Sequence, residues 1–277
     1  MALSASSITA AKTATYRAQH QHVDAVRIFD DPFAEKLLGD AAVEPTTDPT
    51  PESVRGRAGL RAFLATRARY AEDLLAHAVA HGAATYIVLG AGLDTFALRN
   101  PFPELSVVEI DHPATQAWKR ERYAAAGLAV PASLRFCAVD FNKGELCAAL
   151  DAISGPTFVS WLGVSYYLHR EALDATFAAV SSLADRGRTE LVLDYSQHGH
   201  HLDEHSQRYL DIVKARVEKD GEPFVSFFTA DELARMVEAH GFQVLENVHY
   251  ADVYQRISGE AAPEPRGFGA LAHLRCG

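Results

Sequence analysis

A chain of 277 residues, 48% hydrophobic and 22% charged, is long enough to bury a sizeable core and too apolar to be disordered. Its 36 acidic against 26 basic residues give a net charge of −10, which argues against nucleic acid and anionic membrane surfaces as partners, since both need a positive field. No apolar run approaches the ~18 residues of a membrane span, and the opening MALSASSITAAKTATYRAQH lacks the apolar core of a secretory signal. Three cysteines without metal-ligand spacing, Cys137, Cys147 and Cys276, suit a reducing cytoplasm.

The first 45 residues read as helical, and the Pro-, Thr- and acid-rich stretch VEPTTDPTPESV reads as a surface loop. A long helix is expected over 55–81, where Leu60, Phe63, Leu64, Tyr70, Leu74, Leu75 and Val79 recur at helical spacing. The texture then changes. TYIVLG (85–90), LSVVEID (105–111), LRFCAVD (134–140), TFVSWLG (157–163) and TELVLDY (189–195) are short apolar runs. Helical patterns over 113–126, 143–151 and 170–184 alternate with them. Such alternation predicts a parallel sheet with right-handed crossovers, and near-continuous apolar strands predict helices on both faces. The segment 196–227 breaks the rhythm with SQHGHHLDEH and a charged helix, and reads as a lid-like insertion. FTADELARMVEAHGF (228–242) is a helix with Thr229 at its N-cap and Gly241 at its stop. FQVLENVHY and GFGALAHLR read as two final strands in a hairpin-like antiparallel pair, joined by the exposed linker SGEAAPEPR. The expectation is one α/β domain over 1–277, with a helical extension (1–82), a doubly wound core (83–195), the insertion (196–227) and a C-terminal helix and strands (228–277).

Open α/β sheets bind ligands beyond the carboxyl ends of their strands. The residues there are Gly90-Ala91-Gly92, Asp111, Asp140, Gly163 and Asp194. Glycines after the first strand let backbone approach a ligand closely. Asp111, 21 residues after Gly90, is placed to accept both hydroxyls of a ribose. That pairing fits dinucleotide and S-adenosylmethionine sites alike. Two features separate them. Thr95 stands where the dinucleotide fingerprint has its third glycine, and Asp94 in the loop would repel a pyrophosphate but tolerate a sulfonium and an ammonium. Asp94 is also what a helix N-terminus favours. Asp140 and Phe141 suit an adenine, the acid for its amino group and the ring for its face.

VLGAGLDTFALR (88–99), VVEIDHPATQAWKRE (107–121), AVDFNKGEL (138–146) and FVSWLGVSYYL (158–168) resemble the leucine carboxyl methyltransferase family, in its bacterial branch. YRAQHQ (16–21) and RIFDDPFAEKLLG (27–39) resemble that branch's N-terminal extension, and FFTADELARMVEAHGF its late helix. The resemblance covers about 12–275. It implies a class I methyltransferase (Rossmann-like) fold and S-adenosylmethionine as cofactor. It implies Gly90 against the methionine part, Gly92 among the cofactor-binding residues, Asp111 on the ribose, and Asp140 and Phe141 on the adenine. It also implies an arginine for the cofactor carboxylate at Arg67, with Arg69 one slip away. Three positions depart from the family. Phe96 replaces an arginine, Leu162 falls where eukaryotic members carry an acid, and Tyr16 with Arg17 stands nearest the family's N-terminal lysine.

The expected reaction is O-methylation of a small molecule or peptide; a carboxylate is one candidate acceptor group and needs no base, whereas an alcohol or phenol would benefit from one. Arg17, Arg99, Tyr166, Tyr167 and Tyr195 are candidates to orient the acceptor, with Asp194-Tyr195 the best placed pair by the strand-end rule. His20 and His22 are candidate bases, and His112 reads as exposed. The histidines 198, 200, 201 and 205 read as a solvated segment, so no metal is expected. Two rivals stand beside this reading: a nicotinamide-dependent oxidoreductase on the same fold, and a non-catalytic metabolite-binding module, the latter kept open by Phe96 and Leu162.

Overall fold

All five apolar runs become parallel strands: β1 (Thr85–Leu89), β2 (Ser106–Asp111), β3 (Leu134–Ala138), β4 (Thr157–Trp161) and β5 (Thr189–Ser196). A computed structural model describes residues 5–42, 49–143, 146–198, 202–219, 221–263 and 266–277. Two further strands, β6 (Gln243–His249) and β7 (Gly269–Cys276), complete a seven-stranded sheet in the order β3-β2-β1-β4-β5-β7-β6. β7 runs antiparallel between β5 and β6. Strand order reverses between β1 and β4, and a crevice opens at such a switch point.

The helices are α1 (Ala5–Val23), α2 (Ala34–Leu38), α3 (Pro51–Ala80), α4 (Phe96–Arg99), α5 (Pro113–Ala125), α6 (Leu146–Leu150), α7 (Arg170–Ser181), α8 (Glu204–Lys219), α9 (Ala230–Ala239) and α10 (Tyr250–Ser258). Because side chains alternate along a strand, the sheet carries two cores. Tyr86, Val88, Val107, Phe158, Val192 and Leu271 pack with α1, α2, α3, α5 and α10. Ile87, Leu89, Val108, Ile110, Val159, Trp161, Leu191 and Leu193 pack with α6, α7 and α9. The sheet is a mostly parallel one covered on both faces, an α/β Rossmann-like fold.

Two boundaries differ from expectation. The last two strands pair antiparallel as expected, but the connection is no tight turn: α10 lies between them, and β7 also pairs with β5 along eight residues. α10 buries Tyr250, Ala251, Val253 and Tyr254; the His249 side chain accepts from the Ala251 N–H at 3.2 Å, and Gly259 closes the helix at φ +77°. The helix α3 also starts inside the stretch read as loop, with Pro51 in its first turn and the Thr50 hydroxyl accepting from the Ser53 N–H at 3.3 Å. The rest of that loop, 43–48, lies outside the described residues, as do His200, His201 and part of the final linker.

The Thr229 cap forms as read. Its hydroxyl accepts from the Glu232 N–H at 3.2 Å, and the Glu232 carboxylate accepts from the Thr229 N–H at 2.7 Å. This reciprocal box orients α9, whose Leu233, Met236 and Val237 are core. Thr229→Ala is expected to cost about 1 kcal/mol and to lower Tm by about 2–4 °C in a thermal melt, with cofactor affinity unchanged.

No helix among the described residues is long and apolar enough to cross a membrane.

Candidate active site

A cavity of about 540 Å³ lies beyond the carboxyl ends of β1, β2 and β4, within the ~300–1,000 Å³ typical of small-molecule sites. The turns after these strands form its floor: Gly90 to Asp94, Asp111-His112 and Leu162 to Val164. Its other walls are α1, through Thr9, Ala10, Thr13 and Arg17, the α3 residues Leu64, Arg67 and Ala68, and the segment 221–225 after α8. The Thr9 hydroxyl bonds to the Glu222 carboxylate, so two segments outside the sheet meet at the cavity.

The first turn has a demanding geometry. Gly90 sits at φ +68°, and a Cβ built on it would fall 2.2 Å from Cγ2 of Val164. Only glycine lets the two turns approach so closely. Asp111 ends β2, and its carboxylate accepts from the Gly92 N–H at 2.5 Å and the His112 N–H at 2.6 Å. Burial pushes this carboxyl above its usual range, opposed by those two N–H groups and by the charge of Lys119. Asp140 and Phe141 lie just past β3, which stops at Ala138, and both line the cavity.

Arg67 reaches in from α3. Its Nη1 donates to Asp194 at 2.6 Å and to the Tyr166 hydroxyl at 3.3 Å, and Nη2 has no hydrogen-bond partner among the described residues. Asp194 is fully buried, and its other oxygen accepts from the Gly163 N–H at 2.6 Å. Burial works against the Arg67 charge, but Asp194 outweighs it and holds the guanidinium protonated above its usual range.

A second ion network ties the N-terminal extension to the loop after β1. Asp31 accepts from Arg17 Nε at 3.0 Å, the Thr95 hydroxyl at 2.5 Å and the Ala34 N–H at 3.1 Å. Arg17 Nη2 donates to the Leu93 carbonyl at 2.7 Å, and its Nη1 has no hydrogen-bond partner among the described residues. Arg99 is held by both oxygens of Glu72, at 3.0 and 2.6 Å. Burial opposes ionisation of Asp31, yet Arg17, Thr95 and Arg99 together keep its carboxyl below the usual range.

The sequence profile of the leucine carboxyl methyltransferase family matches residues 10–181, from α1 to the end of α7. This chain belongs to that family. It is 30% identical over 274 residues to the Bacillus subtilis (strain 168) protein named "Putative S-adenosyl-L-methionine-dependent methyltransferase YktD", covering 90% of both chains. It is 34% identical over 190 residues to a protein of Saccharopolyspora erythraea with the same activity in its name, covering 65% of this chain and 64% of that one. The fold matches the crystal structure of a DUF574 family protein from Streptomyces avermitilis MA-4680, with a TM-score of 0.59 at 16% identity over 95% and 97% of the two chains. The protein is an S-adenosylmethionine-dependent methyltransferase, with S-adenosylmethionine as its cofactor.

The cavity has the features such a cofactor needs: a floor that a Cβ would fill, an acid at the end of β2, and a guanidinium with a spare edge. The structure brings Arg17, Arg67, Gly90, Gly92, Asp111, Asp140 and Phe141 to one cavity. Arg69, two residues on from Arg67, faces solvent with Asp73 at 2.7 Å. Tyr195 is the correction. It faces the α9 side of the sheet, fully buried, with its hydroxyl donating to Asn247 at 2.8 Å, and it does not line the cavity. Its neighbour Asp194 points the other way, because consecutive strand residues take opposite faces. Phe96 packs edge-on to Tyr86, with ring centroids 4.9 Å apart, and Leu162 lines the cavity. Asp94 does serve its helix start, accepting from the Phe96 N–H at 2.8 Å, and it also faces the cavity.

The histidines divide. His20 Nε2 accepts from the Ile28 N–H at 3.1 Å, so Nδ1 carries the proton towards Asp24 at 2.9 Å. With both nitrogens committed and the ring buried, His20 is structural. His22 is exposed beside Glu35. Among the described residues no group of three or more His, Cys, Asp or Glu could hold a metal ion. Sequence reasoning missed Asp31 and Lys119. The paired acids of DDPFA pointed to the first, and the buried positions Thr115, Gln116 and Trp118 around Lys119 mark the face of α5 that carries the second.

Proposed function

We propose that this enzyme methylates oxygen, at a carboxylate of a small molecule or peptide. The observation that carries this reading is the pair of guanidiniums brought to one cavity by two different helices. Arg67 and Arg17 each keep a donor without a hydrogen-bond partner among the described residues. One anion, the cofactor carboxylate, occupies the edge of Arg67, for which a guanidinium fork is well shaped. The second donor then serves an anionic acceptor.

Gly90 and Gly92 give the cofactor's methionine part its close approach to backbone. Asp111 accepts from the ribose hydroxyls, Asp140 from the adenine amino group, and Phe141 covers the adenine face. When bound, S-adenosylmethionine supplies an electrophilic methyl on a sulfonium. An acceptor carboxylate is ionised at pH 7 and needs no base, so the protein's work is to aim it and exclude water. Arg17 aims the carboxylate, while α1 and the segment 221–225 shield it.

The test is methyl transfer from radiolabelled cofactor to matched carboxylates, phenols and alcohols, alongside calorimetric titration of wild type and Asp111→Ala. Carboxylate turnover with a rate flat above about pH 6 supports the reading, since a carboxyl of ordinary pKa is then ionised. Turnover restricted to phenols, rising with pH, overturns it. Arg17→Gln is expected to raise the acceptor KM at least tenfold, about 1.4 kcal/mol, while S-adenosylhomocysteine affinity stays within threefold.

A further inference from the structure

Lys119 on α5 is almost wholly buried, and its ammonium donates to Glu109 at 2.5 Å. A lysine is almost never buried this deeply unless paired. The pair is costly in another way. Oε1 of Glu109 and the hydroxyl of Tyr123, both buried on this side of the sheet, have no hydrogen-bond partner among the described residues. Apolar side chains of similar volume would stabilise such a place as well or better. Val107 and Trp118 around it are already core. The charges therefore call for a reason other than packing.

Their position supplies one. Val107, Glu109 and Asp111 are alternate residues of β2, so all three point to the α5 side. Lys119 thus faces a row of acids that ends at the cavity. Its charge favours ionised Asp111 as well as ionised Glu109. The other charged or titratable groups near this row are Asp94 in the loop after β1, His112 and Tyr123 on the α5 side, and Asp140 with Lys143 beyond β3. The acids outnumber the buried cations. Without Lys119 the carboxylates of Glu109 and Asp111 would face each other and Asp94 uncompensated.

We propose that Lys119 is a positioning residue for cofactor binding, holding the Glu109–Asp111 row so that Asp111 presents a charged carboxylate to the ribose hydroxyls. This rests on the reading of Asp111 as the ribose acceptor. Lys119 touches no ligand in this scheme. It acts from behind the strand, with Glu109 as the partner that makes its burial tolerable.

The experiment is calorimetric titration of full-length variants with S-adenosylhomocysteine from pH 5 to 9. Lys119→Met with Glu109→Gln removes both charges, so no unpaired ion destabilises the fold, and thermal melts check it. The double variant is expected to have the midpoint of its pH dependence moved up by about one unit, which weakens binding about tenfold at pH values below the wild-type midpoint and progressively less above it. Affinity recovers as pH rises, because Asp111 then ionises unaided. Glu109→Gln alone, which leaves Lys119 to Asp111, is expected to move the midpoint down. A folded double variant with wild-type affinity, or a weakened one with an unmoved midpoint, overturns the proposal. Wild-type binding by Asp111→Asn would overturn the ribose reading itself, and the proposal with it.

Discussion

Gly90→Ala is expected to cut S-adenosylhomocysteine affinity at least a hundredfold and to lower Tm by about 5 °C or more. Two costs combine. An alanine at φ +68° occupies the left-handed region, at roughly 1–2 kcal/mol. Its methyl would also fall 2.2 Å from Cγ2 of Val164, a β-branched side chain with little rotamer freedom to retreat. Overpacking of that kind costs about 1–3 kcal/mol. Either turn must move, and both turns floor the cavity. Adding Val164→Ala separates the costs. The double variant relieves the overlap, so most of the lost Tm returns, while the strained φ and the added methyl still obstruct the ligand. Calorimetry and melts on the three proteins measure both effects. Binding within threefold of wild type by Gly90→Ala would show that nothing approaches this turn closely.

The strands and the residues that follow them could be read from the chain because buried parallel strands are apolar on both faces. TYIVLG, LSVVEID and TFVSWLG announce themselves by composition, and each ends within two residues of a cavity-lining glycine or acid. That same two-faced burial hid the pleat phase. TELVLDY gives no polar alternation to show whether Asp194 or Tyr195 faces the ligand. Only the packing of Val192 towards α3 and Leu193 towards α9 decides it, and it decides for Asp194.

A helix has a phase of its own. Arg67 and Arg69 are two residues apart and point to different sides of α3, so a single cavity takes one of them. The sequence alone left that open; the exposure of Arg69 beside Asp73 closes it. Lys119 was invisible for the opposite reason. In WKRERY, charged residues read as a solvated face, and only tertiary contact with Glu109 shows that one of them points inward. α10 was hidden because VHY continues β6 in composition, although Tyr250, Val253 and Tyr254 already follow a helical rhythm that Gly259 terminates.

The pair Arg67–Asp194 offers the sharpest separation of stability from binding. Arg67→Leu leaves the Asp194 carboxylate fully buried with the backbone N–H of Gly163 as its remaining hydrogen-bond donor among the described residues, and stranding a buried charge costs about 3–5 kcal/mol. Tm is expected to fall by about 10 °C, and S-adenosylhomocysteine affinity at least a hundredfold. Arg67→Leu with Asp194→Leu removes both charges, and apolar replacement of a buried pair is often neutral. Its Tm is therefore expected to recover most of the loss. Its affinity is expected to stay low, because among the described residues the other guanidiniums are committed elsewhere: Arg99 is held by Glu72, Arg69 lies outside the cavity, and Arg17, tied to Asp31 and the Leu93 carbonyl, keeps its open donor for the acceptor in the proposed reading. Calorimetry beside a melt distinguishes the two roles of one residue. Recovery of both quantities in the double variant would make Arg67 a brace between α3 and β5, and the cofactor carboxylate would need another partner. Recovery of stability alone makes the brace the means by which β5, through Asp194, aims the guanidinium at the ligand.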